Sequence, residues 1–142
     1  MTPHQTRLVR ESFALVKPIA TQAAALFYDK LFERDPTLMP MFRGDMAQQG
    51  ARLMQMIEAA VALLGRPAQL DETLMRLGER HVGYGVMAAH YPTVGAALLD
   101  TLAAGLGDEF TAETREAWAT LYSHVAETML RGAMHAGAMA EA

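Results

Sequence analysis

Cysteine is absent from the 142 residues. That removes disulfides, thiolate metal sites and thiol nucleophiles. Charge is scarce as well: 12 Lys+Arg stand against 16 Asp+Glu, and charged residues are 20% of the chain, below the ~25% usual for globular domains. The resulting net charge of −4 disfavours nucleic acid, whose binders show clustered positive charge. Long apolar runs are missing: the stretches 23–28 and 59–64 reach six residues, far short of the ~20 that span a bilayer. Arg7, Arg10 and Glu11 break the first apolar stretch, so no signal-peptide core is expected there. Two-residue alternation, internal repeats, low-complexity tracts and domain-splitting linkers are also lacking. The default expectation is a soluble, cytoplasmic protein of one domain.

What is present is apolar material, 51% of the residues, with 11 methionines. A chain of this length can bury roughly two-thirds of its unfolded surface, so disorder is excluded and no covalent staple is needed. The surplus must line something. Its spacing is helical throughout. Thr2-Pro3 marks a helix start, and Pro18 interrupts the face carrying Leu8, Ser12, Leu15 and Val16. Ile19, Ala23, Leu26, Phe27 and Leu31 continue to Asp35-Pro36, and a proline-rich piece closes on Phe42, with Arg43-Gly44-Asp45 as a connector. Met46, Gly50, Leu53, Ile57, Val61 and Leu64 form one stripe. Leu70, Leu74, Leu77, His81 and Tyr84 form the next, after Gly65-Arg66-Pro67. Tyr91-Pro92 opens another helix, and Thr111 caps the last long one, whose buried face carries Trp118, Leu121, Tyr122, Val125 and Met129. The pattern lapses after Leu130, and a frayed tail is expected over 132–142. The spacing predicts an all-α domain of six to eight helices.

Four side chains on these faces could carry chemistry. His81 lies on an apolar stripe, where a neutral ring nitrogen can bind a metal while the other donates to the Leu77 carbonyl one turn earlier. A core histidine satisfied by hydrogen bonds is the commoner meaning of such a position. Gln49 shares a face with Leu53 and Ile57, at the stripe's interior side or at its solvent edge. Tyr28 joins the apolar face of Phe27, and a buried tyrosine needs a partner for its hydroxyl; packing alone is the plainer account. Phe42 reads first as core. Gly83-Tyr84-Gly85 has neither the preceding strand nor the third glycine of a dinucleotide site. His4, His90, His124 and His135 lack metal-ligand spacing, and Glu33/Asp35 and Glu113/Glu116 suit solvated faces or caps.

In order along the chain, these pieces are specific. Leu26-Phe27-Tyr28 with Leu31-Phe32, Phe42, Gln49 with Leu53, Arg80-His81 with Gly85-Val86, His90-Tyr91-Pro92 with Val94-Gly95, and Ala117-Trp118 with Tyr122 together resemble the globin family. More narrowly, they resemble single-domain bacterial haemoglobins and the globin domain of flavohaemoglobins, over essentially the whole chain. The resemblance implies a globin fold, three helices over three, around haem b. It implies His81 as the proximal iron ligand and Phe42 as the ring packed on the porphyrin. Tyr28 and Gln49 become the distal pair donating to bound dioxygen, with Leu53 as the apolar wall beside it. Ile57, Leu77, Val86 and Val94 would line the porphyrin, Tyr91 would pack beside His81, and Arg52 and Arg80 would meet the propionates.

The implied function is reversible dioxygen binding, with nitric oxide and carbon monoxide as further ligands. Nitric oxide dioxygenation, yielding nitrate, is a second use. No flavin reductase region is included, so turnover would draw electrons from a separate reductase. A gas-sensing or interaction module acting through a separate partner is the alternative. One departure bears on this: flavohaemoglobins place a Glu of the last helix in a triad with Tyr and the proximal His, where Ala133 stands here. Glu127, six residues earlier, lies about 120° away round a helix and is a poor substitute.

Overall fold

The structure, a computed structural model, describes residues 1–42, 44–83 and 85–141, without the side chains of 135–141. Arg43 of the expected connector, Tyr84 of the second stripe and the His135 side chain therefore lie outside the described residues. Six α-helices follow one another: α1 (Pro3–Val16), α2 (Ala20–Arg34), α3 (Met46–Ala62), α4 (Pro67–Gly83), α5 (His90–Leu106) and α6 (Ala112–Glu141). Short 3₁₀ segments at Lys17–Ile19, Pro36–Met41, Leu63–Gly65 and Gly107–Glu109 join them, and the described residues hold no strand.

Local chemistry accounts for the boundaries. The Thr2 hydroxyl accepts from the Gln5 amide at 3.1 Å while the Gln5 side chain accepts from the Thr2 amide at 3.0 Å, a reciprocal capping box. Pro18 has no N–H to continue α1, and the chain passes through a 3₁₀ turn before α2 begins. Asp35 caps the Pro36–Met41 turn, Asp45 caps α3 through the amides of Ala47 and Gln48, and Thr111 accepts from the Thr114 amide at the start of α6. Gly107, at a φ of 55°, ends α5 in a conformation that a side chain would disfavour.

The main core joins Val9, Phe13 and Val16 of α1 to Val61, Leu102, Leu106, Ala117, Trp118 and Leu121. Trp118 is 2% exposed, and its indole N–H donates to the Ser12 hydroxyl at 2.8 Å, which donates in turn to the Leu8 carbonyl at 2.6 Å. Thus one buried polar chain fastens α6 to α1. Helix α2 packs on α3 and α5, and α4 lies along α6. Helices α3 and α4 make no extended contact with each other. Met46 and Leu53 of α3 face an aromatic cluster, whereas α4 packs in another, which Ala60 near the end of α3 also joins.

Helix α6 does not end where its apolar pattern lapses. Gly132, expected to begin a frayed tail, is buried within the helix: a Cβ there would stand 2.1 Å from the Met75 carbonyl oxygen. A contact made by a missing side chain leaves no apolar signal in the sequence.

Candidate functional site

Tyr28 sits on α2 among three phenylalanines. Its ring is edge-on to Phe27 at 5.2 Å and to Phe42 at 5.3 Å, and stacks with Phe32 at 6.1 Å. Phe32 and Phe42 complete the triangle at 5.5 Å. Leu31, Leu38 and Ala97 bury behind them, while Met41, Phe42, Met46, Leu53 and Val94 are half-buried on the same cluster. Offset and edge-on aromatic contacts of this kind add about 0.5–1.5 kcal/mol each beyond area burial. Tyr28 is 8% exposed, and burial pushes its hydroxyl above the usual 10.0, so it stays a donor. That hydroxyl makes no hydrogen bond among the described residues.

Gln49 lies in the first turn of α3, half-buried. The adjacent Gly50 lets α3 close onto α2: a Cβ at Gly50 would lie 2.9 Å from the Ala24 methyl and 3.9 Å from the Tyr28 ring. The absence of that one atom brings the turn carrying Gln49 beside Tyr28.

A second cluster lies on α4 and its neighbours. Leu70, Leu74, Tyr91 and Met129 are buried, with Leu77 and Val86 half-buried against them. His81 is near the C-terminal end of α4, and its Nδ1–H donates to the Leu77 carbonyl at 2.7 Å. Since a carbonyl only accepts, Nδ1 carries the proton and Nε2 the lone pair. Burial holds the imidazole below its usual 6.5, the Leu77 bond opposes that, and the Arg80 charge adds to the lowering. The ring is neutral at pH 7. The Val86 amide donates back to the His81 carbonyl at 3.1 Å, folding the following segment toward the cluster.

Most of the expected residues therefore fall into two groups, with Ile57, Arg52 and Arg80 outside them. Tyr28, Phe42, Leu53 and Val94 belong to the first cluster; Leu77, Val86 and Tyr91 to the second, beside His81. Ile57 instead packs against the main core, and shares with Leu53 the lining of an internal void of about 20 Å³ near Phe27 and Trp118. Arg52 and Arg80 are exposed and make no ion pair among the described residues. A wider groove of about 420 Å³ lies elsewhere, between the start of α1 and Leu64–Gly65. Phe32 and Met41 join the aromatic cluster without having been expected at the site. Phe32 was legible as the residue one turn beyond Tyr28; Met41 carried no signal beyond being apolar.

Residues 25–129 match the family described as globin. The chain belongs to the globin family. It is 30% identical over 131 residues to flavohemoproteins of two Xylella fastidiosa strains, covering 90% of this chain and 33% of theirs. The chain thus spans about a third of the length of those relatives. It is also 31% identical over 139 residues to a neuroglobin of Danio rerio, covering 88% of this chain and 87% of that one. A bacterial globin from Campylobacter jejuni shares the fold, with a TM-score of 0.82 at 23% identity over 94% of this chain and 97% of that one.

Membership of this family implies a haem-binding protein, and the residues present fit that group. The early turns of α3 and the His81 end of α4 carry half-buried apolar side chains that belong to different clusters. A neutral, backbone-anchored imidazole stands by one, and the Tyr28 phenol, its ring buried and its hydroxyl not hydrogen-bonded to the described residues, stands in the other. No helix among the described residues is long and apolar enough to cross a membrane.

Proposed function

We propose that this globin holds haem b between the first turns of α3 and the His81 end of α4 and uses it to bind dioxygen reversibly. When bound, haem supplies an iron centre that takes up a diatomic gas. His81 would hold the iron through Nε2, its ring direction set by the Leu77 carbonyl. Phe42 would pack against the porphyrin; Leu53, Ile57, Leu77, Val86 and Val94 would give it an apolar lining, with Tyr91 beside His81. Arg52 and Arg80, exposed on α3 and α4, would meet the propionates.

Tyr28 carries the reading. The ring is buried, while the protonated hydroxyl is not hydrogen-bonded to the described residues and its oxygen is reachable, so it can donate to a ligand that accepts. A dioxygen held beside it would accept that hydrogen bond. Gln49 supplies a second donor from the turn that Gly50 brings close, and Leu53 keeps water from the gas.

The likeness to flavohemoproteins favours a second use, nitric oxide dioxygenation with electrons supplied by a reductase. Ala133 weighs against fast turnover. It occupies the position of the family's triad carboxylate, and Glu127 is exposed, so neither residue places a carboxylate at the Nδ1–H that His81 donates to Leu77.

Absorption spectroscopy on the haem-reconstituted protein is the test. A Soret band that shifts with carbon monoxide after reduction, reversible oxygenation, and loss of haem in His81→Ala are expected. Absence of a Soret band after reconstitution, or unaltered occupancy in His81→Ala, overturns the reading. Nitrate formed once per haem under a reductase supports the carrier; continuing turnover supports the dioxygenase.

A further inference from the structure

The helix that bears His81 is held to the rest of the fold almost wholly by α6. At that crossing the two backbones touch. A Cβ at Gly78 of α4 would stand 1.9 Å from the Met129 carbonyl oxygen, and a Cβ at Gly132 of α6 would stand 2.1 Å from the Met75 carbonyl oxygen. The contact is reciprocal: each helix offers a glycine to a carbonyl three residues from the other's glycine. In both, a Cα–H takes the place of the missing Cβ and faces the opposing oxygen, a weak hydrogen bond that suits helices in closest approach. The clash is with backbone, which no side-chain rotation relieves.

The crossing connects directly to His81. The carbonyl that accepts from its Nδ1 belongs to Leu77, and so to the peptide that links Leu77 to Gly78. The α-carbon pressed on α6 is therefore one bond beyond the peptide group that orients the imidazole. Further along α4, Asp71 accepts from His124 of α6 at 2.6 Å, fixing the rotation of α4 at its outer end. We propose that Gly78 and Gly132 are positioning residues for His81: they set the height and rotation of α4, and through Leu77 the placement of Nε2. The inference rests on His81 being the axial ligand.

An added methyl at either glycine lifts α4 from α6 and moves the imidazole with it. The test is resonance Raman spectroscopy of the iron–histidine stretching band in the reduced, gas-free, haem-loaded full chain, with circular dichroism to certify folding. Gly78→Ala and Gly132→Ala should displace the band and speed haem loss about tenfold, the effect of about 1.4 kcal/mol. Gly83→Ala, on the same helix with nothing among the described residues within 4 Å of its added Cβ, should leave the band in place. Asp71→Asn removes the charge at the outer anchor without adding an atom to the crossing, and should broaden the band even if both alanine variants fail to fold. In His81→Gly supplied with free imidazole the ligand is cut from α4, and a second substitution at Gly132 should no longer move the band. A band at its original position and width in the folded Gly78, Gly132 and Asp71 variants overturns the proposal. An original protein with no iron–histidine band at all refutes the axial assignment instead, so the two failures are told apart.

Discussion

The Tyr122 hydroxyl donates to the main-chain carbonyl of Tyr91 over 2.6 Å, and its ring lies across Gly95, where a Cβ would stand 2.6 Å from the ring edge. One side chain of α6 thereby ties down the first turn of α5, where Tyr91 enters the cluster beside His81. Burial pushes the Tyr122 phenol far above its ordinary range, and the neighbouring Tyr91 phenol adds to the rise.

Removing the hydroxyl and filling the glycine should have unequal costs. Tyr122→Phe loses one hydrogen bond to a carbonyl that still serves the helix, about 1 kcal/mol. Gly95→Ala drives a methyl into a ring tethered by its hydroxyl to Tyr91, about 1–3 kcal/mol. Urea unfolding should place Gly95→Ala at the lower midpoint with unchanged slopes. A Gly95→Ala protein as stable as the original would show that the ring yields freely.

The division between what was and was not legible in the sequence follows from the same glycines. Caps such as Thr2 and Thr111, and breaks such as Pro18, act within a few residues, so local sequence reveals them. His81 was visible because a polar ring interrupts an apolar stripe. Gly78, Gly95 and Gly132 act by absence, against partners distant in sequence, and periodicity is blind to them. Ile57 shows a further limit. It shares a stripe with Leu53, yet successive turns of α3 serve different clusters: Met46 and Leu53 the aromatic one, Ile57 and Val61 the main core. A stripe reports which face is buried and not what covers each turn.

Ser12→Ala should unfasten α1 from α6. The Trp118 indole N–H, now paired to Ser12 at 2.8 Å, would be left buried without an acceptor, at about 1–3 kcal/mol. Because the chain has a single tryptophan, fluorescence reads this site alone. A shifted emission together with a lowered unfolding midpoint is expected; a lowered midpoint with unshifted emission would place the loss elsewhere.

Alkaline titration should find three tyrosines late. Tyr28, Tyr91 and Tyr122 all have hydroxyls raised above 10.0 by burial. Above that pH the unfolded chain releases these protons while the folded one keeps them, so the folded state binds more protons and stability falls as pH rises. Tyrosinate absorbance from these three should therefore appear with loss of helical signal rather than before it. All four tyrosines ionising near pH 10 in an intact fold would contradict their burial.

Tyr28→Phe separates packing from ligand recognition. The ring contacts with Phe27, Phe32 and Phe42 survive the substitution, and the lost hydroxyl has no hydrogen-bond partner among the described residues, so the unfolding midpoint should hold or rise slightly. The dioxygen off-rate should not hold. A hydrogen bond to an acceptor bearing charge is worth roughly 1.5–3 kcal/mol, which corresponds to about one to two decades in rate. Carbon monoxide develops little charge on its outer atom, and its release should change far less. Stopped-flow displacement of each gas measures both. Equal acceleration of the two would mean that the ring, not the hydroxyl, governs escape, and an unchanged dioxygen off-rate would leave Tyr28 with packing as its whole role.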